Sequence, residues 1–109
     1  MRKVALLALV VPLSACASTQ EALNRPVTQT FHSTQTAREV ASCLADHNDT
    51  TVVERNDGSR VVLIKNLYGA VSLAFSVYPE GAGSRIEYRR IFGTIGGIWR
   101  RCVGATDAD

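Results

Sequence analysis

The chain predicts an α+β domain: a helix, a four-stranded antiparallel sheet and a short C-terminal helix, with both helices on one sheet face. Three observations carry this. Apolar residues recur at helical spacing after Thr36. Four later segments are β-branched or alternate in polarity, and strong turn residues separate them. Hairpin connections dominate, which places the helices against an antiparallel sheet rather than between parallel strands.

The helix comes first. Thr36 to Glu39 spells T-x-x-E, a capping box in which the Thr oxygen accepts from the Glu39 amide and the Glu reaches back. Ala37, Val40, Ala41 and Leu44 then form one apolar stripe with Cys43 at its edge, and Asn48 and Asp49 end it. The predicted span is 36–47.

The strands follow. Thr51 to Glu54 is short and β-branched. Asn56-Asp57-Gly58-Ser59 is a hairpin turn, because Asp-Gly tolerates positive φ. Arg60 to Asn66 is the second strand, and Leu67-Tyr68-Gly69 turns the chain. Val71 to Tyr78 alternates clearly: Val71, Leu73, Phe75 and Val77 point to a core, and Ser72, Ala74 and Ser76 point toward solvent. After a turn over Pro79 to Gly83, Ser84 to Ile91 places Ile86 and Tyr88 inward and Arg85, Glu87 and Arg89 outward. Val27 to His32 can add a short edge strand.

Ile95, Ile98, Trp99, Cys102 and Val103 fit helical spacing, while Gly93, Gly96 and Gly97 delay the start. The last helix therefore runs from about Gly96 to Val103 and closes at Gly104. Tyr68, Tyr78, Tyr88, Phe75 and Trp99 read as core and sheet packing.

The first residues have a different character. Arg2 and Lys3 precede an apolar run, Val4 to Leu13, broken only by Pro12. That run is too short to span a bilayer, so it reads as a cleaved signal peptide. Leu13-Ser14-Ala15-Cys16 resembles the lipobox of bacterial lipoproteins. The resemblance implies cleavage before Cys16, a diacylglyceryl group on its sulfur and an acyl chain (palmitate) on its new amine. A single myristoyl chain anchors a protein only marginally, at about 0.8 kcal/mol per buried methylene, so three chains anchor it far longer. Ala17 and Ser18 follow the Cys where inner-membrane lipoproteins of enteric bacteria carry Asp, which points to the outer membrane, facing the periplasm. Outside the leader, Ala41-Ser42-Cys43-Leu44, Gly83 to Arg89 and a late Cys resemble small proteobacterial lipoproteins to which no activity is assigned.

The expected organisation is a signal peptide at 1–15, lipidated Cys16 with a flexible polar tether to 30, one domain at 31–104 and a loose tail at 105–109. The composition, 46% hydrophobic and 20% charged, suits a globular domain. Of twelve Lys and Arg, two leave with the leader, and the remaining ten balance ten acids. That neutrality gives no overall electrostatic case for nucleic acid or for an anionic membrane surface as a partner.

Cys43 and Cys102 remain after Cys16 takes lipid. An even pair in an oxidising compartment predicts a disulfide. Two buried free thiols are the alternative, and a metal site is disfavoured because the two Cys lie far apart in sequence.

No catalytic residue, metal ligand set or cofactor site is nominated. His32 and His47 are the only histidines. His47 beside Asp46 and Asp49 reads as a solvated helix end rather than a metal site. The serines lack a G-x-S-x-G elbow. Phe92 to Gly97 is glycine-rich before a helix, as phosphate loops are, but has no Lys-Ser/Thr after it. Arg89, Arg90, Arg100 and Arg101 form the one basic concentration, a candidate patch for lipid head groups, lipopolysaccharide or an acidic partner. The expected function is a non-enzymatic binding or structural module, anchored to the membrane by lipid and facing an envelope protein or glycan. The alternatives are a small ligand-binding or enzymatic domain near the glycine loop, and an exclusion lipoprotein of a mobile element.

Overall fold

A computed structural model of the 109-residue chain describes residues 19–92 and 97–104. Residues 19–23 form a helical turn, α1. Then come β1 (Gln29–Ser33), α2 (Ala37–His47), β2 (Val52–Glu54), β3 (Arg60–Lys65), β4 (Val71–Glu80), β5 (Gly83–Arg90) and α3 (Trp99–Val103). The fold is α+β, with one antiparallel sheet ordered β1-β5-β4-β3-β2.

The sheet has five strands rather than the four expected. β2 to β5 form a meander of hairpins, and β1 adds to its far side, pairing Phe31 with Ile86 and Gln29 with Tyr88. The partner of β1 lies more than fifty residues away, so only long-range pairing completes this strand. The turn from β4 to β5 is also tighter than expected. Pro79 and Glu80 extend β4, and only Gly81 and Ala82 turn, with Gly81 at φ +59°. Gly83 is required by a close approach: a Cβ there would collide with the Ser33 carbonyl oxygen.

α2 joins the two edge strands by crossing one face of the sheet. Its capping box is formed as the spacing predicts. The Glu39 amide donates to Thr36 Oγ1 at 3.1 Å, and the Thr36 amide donates to Glu39 Oε1 at 3.0 Å. Its stripe (Ala37, Val40, Ala41, Leu44) is buried against Val62, Ile64, Leu73, Phe75, Val77, Ile86 and Tyr88. α3 closes the same core with Trp99, Cys102 and Val103, and Gly104 ends it in the left-handed region at φ +73°. Trp99 gathers Phe31, Phe75 and Tyr88 around it, with ring centroids 5.8, 5.4 and 4.7 Å away.

Cys43 and Cys102 are bridged, 59 positions apart in sequence and 5.6 Å apart at their Cα atoms. The bridge ties α2 to α3 over the core.

The second sheet face departs from expectation. Ser72, Ala74 and Ser76 are buried rather than open to solvent. By register Ala74 and Ser76 lie between the long side chains of Arg89 and Glu87 on β5 and the aliphatic Leu63 and Val61 on β3. Short side chains in such a trough lose contact with water. Two helices cover the first face, as expected, but the third does not: α1 and the residue after its turn meet the second face. The Arg25 carbonyl accepts from Arg89 Nε at 2.8 Å, and Ala22 is buried. Of the stretch expected as tether, residues 19–30 thus contain a helical turn, a backbone bond from Thr28 to Tyr88 and the start of β1.

Candidate functional site

Three places on the molecule gather chemistry-bearing side chains. The first is the disulfide. Successive turns of α2 place His47 one turn after Cys43, so its Nδ1 donates to the Cys43 carbonyl at 3.0 Å and lies 3.8 Å from Cys43 Sγ. Cys43, Cys102 and His47 therefore hold their ligand-capable atoms within 4.8 Å of one another. Linear spacing could not reveal this grouping, because α3 brings Cys102 from the other end of the domain. His47 turns to this sulfur pair. Bridged sulfurs carry no thiolate charge for a cation, so the arrangement as it stands is a covalent staple with an imidazole beside it.

The second is the arginine set. Arg89 lies on the second face, its side chain only 12% exposed, 3.6 Å from Glu87 and donating to Ser76 Oγ at 3.4 Å. Arg100 lies on α3, on the opposite side of the sheet, with its guanidinium 4.7 Å from the centre of the Trp99 ring. The fold does not bring Arg89 together with Arg100 and Arg101, and Arg90 points away from Arg89 as alternation requires. Instead β5 carries an ionic row, Arg85, Glu87 and Arg89, extended to Glu80 at 3.6 Å from Arg85 and to His32, whose Nδ1 is 2.9 Å from Glu80. Arg85 also stacks over Tyr78 at 4.4 Å.

The third is a cleft of about 410 Å³ between α1, the β3–β4 turn and the end of β5. Glu21, Arg25 and Lys65 supply its charge, and Ala22, Val71, Ile91 and Phe92 its apolar wall. Beside it the β3–β4 turn projects Leu67 and Tyr68, 101% and 94% exposed, and Phe92 is 63% exposed. Tyr68 is thus a surface residue and not the core or sheet residue expected. The sequence signal was its place beside Gly69, at a turn tip that no sheet face covers.

Of the glycine loop, Gly93, Thr94, Ile95 and Gly96 lie outside the described residues, as do Cys16, the leader and the tail 105–109. Among the described residues no helix is long and apolar enough to cross a membrane.

Asp57 sits in the turn between β2 and β3. Hydrogen bonds from the Ser59 hydroxyl at 2.6 Å and the Ser59 amide at 2.9 Å hold its carboxyl below the usual carboxylate range. The cause is a turn that favours the charged form. It shapes the β2–β3 hairpin and marks no reaction centre.

No family model, curated protein or solved structure matches the chain.

Proposed function

We propose that the protein is a small lipoprotein of the cell envelope, anchored by acyl chains on Cys16 to the outer membrane and facing the periplasm, whose domain is a non-enzymatic binding or structural module. The observation that carries the reading is the succession of residues at the start of the sequence: Arg2 and Lys3, the apolar run, then Leu13-Ser14-Ala15-Cys16. The Cys43–Cys102 bridge supports export, because disulfides persist in oxidising compartments. It also leaves Cys16 as the one cysteine outside the bridge, as a lipidated residue must be.

The test is the intact mass of the membrane-extracted protein, with and without reduction and alkylation, beside a Cys16→Ala variant. A triacylated mass beginning at Cys16, with Cys43 and Cys102 alkylated only after reduction, is the expected result. An unlipidated mass overturns the anchor. Crosslinking in cells then tests the module, which is expected to capture an envelope protein or glycan.

A second reading is favoured by the cleft beside α1. Its apolar wall with Arg25 and Lys65 at the rim suits a small amphiphile with an anionic group. On this reading the ligand lies beside Phe92 rather than within the glycine loop.

A further inference from the structure

We propose that the domain stands on the bilayer by one end of its sheet, with Leu67, Tyr68 and Phe92 in the interfacial layer of the membrane that holds the Cys16 acyl chains. This rests on the lipid-anchor reading above and adds the orientation of the domain.

Leu67 and Tyr68 stand fully in solvent at the tip of the β3–β4 turn, and Phe92 emerges at the same end of the sheet. The tip is not loose. Asn66 Oδ1 accepts from the Tyr68 amide at 2.8 Å and the Ala70 amide at 3.1 Å, and the Asn66 amide donates to the Ala70 carbonyl at 2.9 Å. A fixed turn that presents Leu and Tyr side by side suits the membrane interface, where Tyr keeps its hydroxyl wet and its ring among lipid.

Thr19 lines a pocket with Lys65 and Val71, which flank the same turn. Glu21, Ala22 and Arg25 continue along the cleft that ends at Phe92. Cys16 lies three positions before Thr19, a reach of at most about 11 Å for an extended chain. Acyl chains on Cys16 therefore hold this end of the sheet near the lipid surface. The opposite end, with the turns at Asn56-Asp57-Gly58 and Gly81-Ala82, lies a further strand length away, about 20 Å for β3.

The test uses the acylated protein in vesicles of phosphatidylethanolamine and phosphatidylglycerol, part of the lipid carrying bromine high on its acyl chains. Leu67→Trp, Phe92→Trp and Asn56→Trp variants are compared with wild type, whose buried Trp99 supplies the background. All three positions are exposed, so each variant keeps the fold, and circular dichroism checks this. The expected result is about a twofold fall in the added fluorescence of Leu67→Trp and Phe92→Trp, with Asn56→Trp unchanged. Equal fluorescence with and without bromine at positions 67 and 92, in protein that floats with the vesicles, overturns the orientation and leaves the anchor standing. Quenching at position 56 alone overturns it as well. Protein that fails to float and has an unlipidated mass overturns the anchor and the orientation together.

Discussion

The two faces of the sheet are built from different chemistry. The first is dry: α2, α3 and four aromatic rings bury it, and one covalent bond ties the two helices above it. The second is thin. A row of Ser and Ala lies in a trough between the charged side chains of β5 and the aliphatic ones of β3, and α1 crosses it through backbone and cleft contacts. The strands β3 to β5 serve both faces, so the alternation along β4 divides a stability-determining surface from an adaptable one. A fold this small has little core to spare, and the staple supplies what a second packed layer would otherwise supply.

That contrast can be broken from either side. The largest effect is expected from Trp99→Ala, which removes the ring at the centre of the aromatic cluster and costs about 4–5 kcal/mol in urea unfolding. A loss below about 1 kcal/mol would show that the first face does not depend on this cluster. Replacing Cys43 and Cys102 together by Ala is expected to cost about 4 kcal/mol, the chain entropy released by opening a loop of this length. Thermal unfolding in oxidised and reduced protein measures the same quantity independently.

On the second face the effects are smaller. Arg89→Ala removes the donor to the Arg25 carbonyl and the partner of Glu87, and is expected to cost about 2 kcal/mol. It should also speed amide exchange over residues 19–25 while leaving α2 protected. Equal acceleration in α2 would mean that the two faces unfold as one unit. The smallest effect concerns the far end. The carboxyl of Asp57 is held below its usual range by Ser59, so its stabilising contribution is complete above that range and fades as pH falls through the lower, folded value. Melting temperatures of wild type and Asp57→Asn, compared from neutral to acid pH, are expected to differ at neutral pH and converge in acid.

Much of the first face was legible in the sequence. The Thr36–Glu39 box, the α2 stripe and the Asp57-Gly58 turn are local, decided by residues within one turn of each other. The disulfide was legible for a different reason: with Cys16 assigned to lipid, one pairing remained. The second face was not legible. Ser72 and Ser76 read as solvent-facing because polarity was taken for exposure, whereas their burial comes from longer neighbours on adjacent strands. Tyr68 read as packing because aromatic character was taken for burial. Arg89 and the arginines of α3 are close in sequence, and the sheet lies between them.

By itself the amino-acid sequence determined the capped helix, the hairpin meander and the strand faces toward the core. Each is a matter of short-range spacing, and the physics of a turn or a strand repeat acts at that range. Only the tertiary structure decided that Gln29–Ser33 joins β5 as a fifth strand, that α1 lies on the second face, that His47 sits beside the disulfide and that Leu67, Tyr68 and Phe92 share one end of the molecule. These depend on contacts between residues far apart in the chain, which cost loop-closure entropy and form only when the rest of the fold holds both partners in place.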